Sequence, residues 1–240
     1  MGETKRAFGL TNNQLKIIAM ISMLFDHIGV LLLPGCEILR IVGRLAFPIF
    51  AYMIAEGCRY TRNRTKYLLL IALMAIVFQL VYFVTMQSAG MALYQGILVT
   101  FSLSIVSIYV IDWYREKKSE LSFLVMLVVL ASIFYAAVIL PEEFTWQGYS
   151  IDYGIFGILL PVLVYYAPGR VSKLFAVAFS VVGLALTTEI AITWYALLTI
   201  PLLALYNGKR GKRKMKYVFY IFYPAHLVLI YAVALLISIL

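Results

Sequence analysis

Long apolar runs fill most of the chain, and short polar stretches separate them. The runs predict nine helices, at roughly 15–33, 39–57, 66–86, 92–112, 121–140, 151–167, 171–187, 191–206 and 217–240. At about 1.5 Å of rise per residue, most of them are long enough to cross a hydrocarbon core of about 30 Å. The seventh and eighth are short, and only Thr187, Thr188 and Glu189 part them, so one broken helix and a total of eight spans stays open. The segment before the first run is polar and basic. That run is a full span in length and lacks a small-residue cleavage site, which predicts a retained signal anchor. The pattern predicts an all-α, polytopic transmembrane helix bundle of about nine spans, forming a single integral membrane domain over residues 1–240.

Charge decides the orientation. Lys5, Arg6 and Lys16 precede or open the first run, and Arg59, Arg62, Arg64 and Lys66 follow the second. Arg115, Lys117 and Lys118 follow the fourth, Arg170 and Lys173 the sixth, and the cluster from Lys209 to Lys216 the eighth. The intervening loops hold Glu37, Glu142, Glu143, Asp152 and Glu189, with Arg40 as the basic exception. Basic loops stay in the cytoplasm, so the N-terminus is predicted inside and the C-terminus outside. The alternation favours nine spans, because with eight the basic 209–216 loop falls outside. The longest loop on the outer side, 141–152, carries Trp146, Tyr149 and three acids, as an interfacial aromatic belt or as a lid over an acceptor.

Composition agrees and excludes several classes. Hydrophobic residues make up 64% of the chain and charged ones 13%, which leaves no stretch polar enough for a soluble domain. The net charge of +9 sits between the apolar runs, where it sets topology and needs no nucleic acid. Cys36 and Cys58 flank the second run on opposite sides, so they cannot bridge each other. There is no phosphate-loop motif, dinucleotide glycine fingerprint, paired-histidine zinc spacing or nucleophile-elbow serine. Two histidines cannot make a three-histidine metal site.

Ionisable groups inside the apolar runs carry the candidate chemistry. Asp26 and His27 lie in the middle of the first run, where a charge is costly and usually faces a partner or a polar cavity. The second histidine, His226, lies in the last run. His27 and His226 stand eleven and ten residues from Lys16 and Lys216, which places both at about 15–17 Å depth. Matched depth suggests one polar centre. Asp26 and His27 point about a hundred degrees apart, so each needs a partner from another helix. Arg44 in the second run is within reach of Asp26 or of an oxyanion, whereas Arg40, one turn outward, is expected to snorkel to the outer surface. Pro48 leaves the Arg44 carbonyl without its amide partner and predicts a kink there. Glu56 is expected to be a solvated carboxylate paired with Arg62 or Arg64. Gln95 and Thr100 are expected to hydrogen-bond within the bundle.

Several blocks resemble one family. They are Lys16-Ile-Ile-Ala-Met-Ile-Ser-Met-Leu-Phe-Asp26-His27-Ile-Gly, Arg40-Ile-Val-Gly-Arg44-Leu-Ala-Phe-Pro48-Ile-Phe-Ala, and Glu56-Gly with Thr61-Arg-Asn63. They continue with Tyr153-Gly-Ile-Phe-Gly-Ile-Leu-Leu, Tyr206-Asn-Gly-Lys-Arg-Gly and Phe222-Tyr-Pro-Ala-His226. In this order, across nearly the whole chain, they resemble the TraX family of bacterial inner-membrane proteins. That family is associated with N-terminal acetylation of conjugative pilin and is thought to be related to the type 3 membrane acyltransferases.

The resemblance implies a membrane acyltransferase in the bacterial inner membrane. It would move an acetyl group from cytoplasmic acetyl-CoA to a peptide amine or a glycan hydroxyl at or across the bilayer. His27 is then the general base, Asp26 its orienting or charge-balancing partner, Arg44 the stabiliser of the oxyanion or of the local charge, and His226 an aid to proton transfer or to thioester positioning. Arg62, Arg64, Lys209, Arg210, Lys212 and Arg213 are the candidates for holding the CoA phosphates, and the basic clusters also suit anionic membrane lipids. The rival reading is a proton-coupled transporter or a lipid or glycan translocator that uses the same Asp/His/Arg set as a relay. A non-catalytic membrane partner of a larger machine is the third.

Overall fold

The computed structural model describes residues 9–86, 93–144, 148–188, 190–211 and 216–239. The fold is all-α apart from a two-residue strand pair. Helices lie where the apolar runs predict them. Among the described residues, five are long and apolar enough to cross a membrane: Asn12–Leu31, Glu37–Tyr60, Ile97–Lys117, Glu120–Glu143 and Arg170–Thr187. Gly154–Tyr166, Ala191–Ala204 and Ile221–Ile237 are shorter apolar helices. Packing divides the chain into two compact units, one of Met1–Met53 with Thr188–Leu240 and one of Ile54–Thr187.

In the first unit, α1 (Asn12–Leu31) packs against α2 (Glu37–Gly43) and α11 (Lys216–Ile239). Thr11 and Gln14 cap α1 reciprocally. The first amides of α1 have no partner within the helix, and the chain after α10 (Thr199–Ala204) supplies acceptors. Asn12 N–H donates to the Lys209 carbonyl at 2.8 Å and Asn13 N–H to that of Arg210 at 3.2 Å. Just upstream, Leu10 N–H meets Leu205 O at 2.8 Å, and Asn207 N–H returns to Leu10 O at 2.9 Å. Gly9 opens this junction at φ +121°, and a Cβ there would stand 2.3 Å from the Leu205 carbonyl oxygen. The basic 209–211 segment is thereby tied by its backbone to the start of α1.

The second predicted helix is broken as its proline demands. The chain turns at Arg44 and Leu45, and α3 (Ala46–Tyr60) restarts with Pro48 in its first turn, where a missing N–H is harmless. The eighth is also irregular, with a tight 3₁₀ stretch over Ala191–Leu198 leading into α10. Its eight residues rise about 2.0 Å each, so the whole segment reaches about 25 Å despite its short length. The break at Thr187–Thr188 is real, since α9 (Arg170–Thr187) ends there.

In the second unit, α5 (Ile97–Lys117) packs against α4 (Arg64–Met86), α6 (Glu120–Phe134) and α8 (Gly154–Tyr166), and α8 against α9. Its buried face carries Thr100, Phe101, Ser104, Ile105 and Ile108. Ser104 donates to the carbonyl of Ile158, and Thr100 to that of Asp152 at 2.7 Å, which meets the expectation for Thr100. The fourth helix was expected over 92–112 and lies five residues later at both ends. Tyr94–Gln95 pairs in parallel with Ser150–Ile151, so the helix cannot start before Gly96, and its basic end is helical through Lys117. Before Pro141 the α6 helix widens into a π turn over Tyr135–Ile139, then continues as α7 (Leu140–Glu143). Leu121, Leu124 and Val128 on α6, and Phe175, Phe179 and Leu186 on α9, are exposed apolar side chains of the kind that face lipid.

Candidate functional site

The first unit brings Asp26, His27, Arg44 and His226 together. Asp26 and His27 point to different neighbours, as the helical geometry requires. Asp26 faces α2, where Arg44 Nη2 donates to Oδ1 at 2.7 Å and to Oδ2 at 2.9 Å. Arg40 Nε donates to the same Oδ1 at 3.1 Å. The expected snorkelling of Arg40 to the outer surface is therefore corrected: its guanidinium is pinned on the carboxylate one turn from Arg44. Gly43, between the two arginines, lets the carboxylate lie against the α2 backbone. A Cβ there would stand 2.4 Å from Asp26 Cβ and 2.5 Å from Oδ1.

His27 faces α11. Its Nδ1 lies 2.8 Å from the Met23 carbonyl oxygen and 3.3 Å from His226 Nε2. The two rings meet edge-on with centroids 4.9 Å apart. His226 is 4% exposed, and its Nδ1 lies 2.9 Å from the Phe222 carbonyl oxygen. A carbonyl only accepts, so both Nδ1 atoms carry the proton when the rings are neutral. His226 Nε2 is then a lone pair that accepts from His27 Nδ1–H, sharing it with Met23. His27 Nε2 is left as a lone pair, the form a general base needs. Phe222 stacks flat on His226, with centroids 4.9 Å apart and planes 4° from parallel, and fixes the ring. Tyr223 meets the same ring edge-on at 5.9 Å, and α11 runs on through Pro224.

The candidates for phosphate binding are more dispersed. Lys209 and Arg210 are exposed in the first unit, held by the backbone bonds to Asn12 and Asn13. In the second unit Arg62 is exposed in the turn between α3 and α4. Arg64 donates through Nη2 to Asp112 at 2.9 Å, and its Nη1 lies 3.6 Å from Glu116. Lys212 and Arg213 lie outside the described residues, as do Lys5, Arg6, Trp146 and Glu189.

Two polar clusters in the second unit were not foreseen. Glu56 is not solvated and does not pair with Arg62 or Arg64. It is 4% exposed and bonds Lys173 Nζ at 2.6 Å, because α9 rather than the following loop covers its face. Asp112 accepts from Tyr165 at 2.7 Å and Tyr166 at 2.8 Å as well as from Arg64. Arg115 stands over the Tyr166 ring at 5.1 Å, and Arg59 donates to the Tyr165 carbonyl. The signal for this hub was a carboxylate at the very end of an apolar run, a weaker one than the mid-run position that singled out Asp26.

Comparison with known proteins fits the site's blocks. The family profile described as "TraX protein" matches residues 11–234. The chain is similar to a probable fimbrial assembly protein FimC (serogroup H1) of Dichelobacter nodosus. The two are 28% identical over 243 residues, covering 90% of this chain and 93% of that one. It is also similar to the uncharacterized protein RP591 of Rickettsia prowazekii (strain Madrid E), 28% identical over 204 residues, covering 80% of this chain and 69% of that one. No solved structure matches. With a family match across nearly its whole length, this helical membrane protein belongs to the TraX family.

Proposed function

We propose that the protein is a membrane acyltransferase that moves an acetyl group from cytoplasmic acetyl-CoA to a peptide amine, or to a glycan hydroxyl, at or across the membrane. The observation that carries this reading is the histidine pair, whose hydrogen bonds leave the lone pair of His27 at Nε2. Nine spans, with the N-terminus cytoplasmic and the C-terminus outside, put that atom near the midplane, between a donor on one side and an acceptor on the other. A bacterial inner membrane is the proposed location. Similarity to a fimbrial assembly protein favours a pilin-like peptide N-terminus among the acceptors.

In this mechanism His27 Nε2 takes a proton from the acceptor nitrogen or oxygen as that atom attacks the thioester carbonyl carbon. The C–S bond breaks, and the imidazolium returns its proton to the departing thiolate of CoA. His226 Nε2 accepts from His27 Nδ1–H throughout, which holds the tautomer and steadies the imidazolium. Asp26 keeps Arg44 in place, and the guanidinium stabilises the oxyanion that forms on the carbonyl oxygen. For the donor's phosphates the candidates are the exposed Lys209 and Arg210, with Lys212 and Arg213 of the same basic run in sequence, and, taken by themselves, Arg62 and Arg64 of the second unit. Arg64 is already engaged by Asp112, so its share is the smaller.

The test is release of free CoA thiol from acetyl-CoA by protein in lipid nanodiscs, with peptide and sugar acceptors and mass spectrometry of the products. Acceptor-dependent release with a matching acetyl mass gain supports the enzyme. Uptake driven by a pH gradient, without covalent change in any acceptor, would move the assignment to the transporter.

A further inference from the structure

Three turns meet at one end of the second unit. α3 ends at Tyr60 and α4 begins at Arg64; α5 ends at Lys117 and α6 begins at Glu120; α8 ends at Tyr166 and α9 begins at Arg170. Contacts from Arg59 to Tyr165, from Arg64 to Asp112 and from Arg115 to Tyr166 hold these ends together. Each helix is largely apolar up to this point, so the turns lie where a span meets water. Residues 59–66 and 112–120 with Arg170 carry eight basic side chains against three acids, so the surface here is positive.

Asp112 organises the cluster. Its Oδ1 accepts from the Tyr166 hydroxyl at 2.8 Å, and its Oδ2 from the Tyr165 hydroxyl at 2.7 Å and from Arg64 Nη2 at 2.9 Å. The two rings are thereby fixed by their hydroxyls, with centroids 4.9 Å apart and planes at 90°. A guanidinium lies over each. Arg59 Cζ stands 5.7 Å from the Tyr165 centroid and Arg115 Cζ 5.1 Å from that of Tyr166. A cation within about 6 Å of an aromatic face is held there by the ring's quadrupole. Arg59 also donates to the Tyr165 carbonyl. The charge of Arg64 is met by Asp112 and, more loosely, by Glu116. Arg59 and Arg115 are exposed, and neither forms an ion pair among the described residues. Two seated guanidiniums therefore keep N–H groups for an acceptor from outside.

The surroundings select that acceptor. Tyr60, Leu121, Val171 and Phe175, close to the same helix ends, are exposed apolar side chains. A dissolved anion would use the guanidiniums alone. A phospholipid uses both features, its phosphate on the arginines and its acyl chains along the apolar flanks below them.

We infer that this end of the second unit binds an anionic phospholipid, with Arg59 and Arg115 taking the headgroup phosphate and with Tyr165, Tyr166 and Asp112 positioning them. The inference concerns a membrane partner and does not rest on the acyltransferase reading. In the proposed topology the site faces the cytoplasmic leaflet.

The experiment measures lipid binding to the full chain in neutral detergent micelles by native mass spectrometry, and needs no turnover. Phosphatidylglycerol and phosphatidylcholine with the same acyl chains are compared. Wild type should bind phosphatidylglycerol about 10- to 30-fold more tightly, the effect of two cations near a bilayer surface. Arg59→Gln with Arg115→Gln should lose most of that preference. Lys117→Gln with Lys118→Gln removes the same charge from the same end but no ring-seated guanidinium, and should keep it. Equal affinity for the two lipids in wild type overturns the inference. So does an equal loss in the two double variants, because the preference is then a diffuse charge effect. Thermal unfolding midpoints in phosphatidylcholine nanodiscs check that the variants fold. If the arginine double variant does not, Arg115→Gln alone should still weaken phosphatidylglycerol binding several-fold, and an unchanged preference in it overturns the inference. A competition arm adds CoA or inorganic phosphate at the concentration of the lipid. Phosphatidylglycerol should stay bound; its displacement by CoA would reassign the pair to the acyl donor, and its displacement by phosphate would reduce the site to a general anion site.

Discussion

Gly43→Ala should damage the site without replacing any charged residue. An added Cβ would stand 2.4, 2.5 and 2.7 Å from Cβ, Oδ1 and Cγ of Asp26. Ordinary contact begins near 3.4 Å, so α1 and α2 must part by about 1 Å where they cross. The bonds from Arg44 and Arg40 to Oδ1, now 2.7 and 3.1 Å, would stretch past hydrogen-bonding range unless the arginines follow. Overpacking costs about 1–3 kcal/mol, and weakening the charge-assisted bonds adds about 1.5–3 kcal/mol at most. The arginines are flexible and follow part of the way, so the expected loss is about 2–4 kcal/mol. His27 is the next residue and moves with Asp26; a displacement of about 1 Å in a reacting group lowers turnover up to about 100-fold. The assay is the thermal unfolding midpoint in nanodiscs, together with acetyl transfer at matched amounts of folded protein. In an Asp26→Ala background the carboxylate clash is gone and only the Cβ contact remains, so the same glycine change should cost less. A Gly43→Ala protein with wild-type midpoint and wild-type transfer would refute the reasoning, because the close crossing would then not matter.

Other predictions rest on separate contacts. Glu56→Gln leaves the Lys173 ammonium buried without its carboxylate and should lower stability by about 3–5 kcal/mol in denaturant titration, whereas Glu56→Leu with Lys173→Met should recover most of it. Asp112→Asn removes the charge that meets Arg64 and turns one of the two oxygens that accept from Tyr165 and Tyr166 into a donor. It should cost about 1.5–3 kcal/mol by thermal unfolding, the share of half-exposed Arg64 being small. At the histidine pair, His226→Gln presents a carbonyl that accepts from His27 Nδ1–H, so single-turnover transfer should fall less than in His226→Ala. Equal loss in the two variants would remove the positioning role of His226.

Much of this was legible in the chain because bilayer physics leaves few options. Every backbone group in hydrocarbon must be paired within its own segment, so long apolar runs become helices, and their positions were clear. Asp26 and His27 stood out because charge in such a run is expensive. Pro48 announced the break at Arg44. The partners were harder to read, because which helix covers which face depends on packing order around a bundle. Arg40 looked like a snorkelling residue from its place near a run's end, but Gly29 and Gly43 draw α1 close enough to capture it. Glu56 looked solvated beside a basic loop, yet Lys173, more than a hundred residues on, seals it. The start of α5 was misjudged because a strand pair of two residues leaves no periodic signal.

The central claim is that His27 Nε2 accepts the acceptor's proton. The most direct measurement is single-turnover transfer of labelled acetyl from acetyl-CoA to a peptide N-terminus in proteoliposomes, comparing wild type with His27→Gln at equal folded amounts. Wild type should transfer the label, and the variant should do so at a rate about 10²- to 10⁴-fold lower, with acetyl-CoA binding kept. Transfer by His27→Gln at the wild-type rate would contradict it.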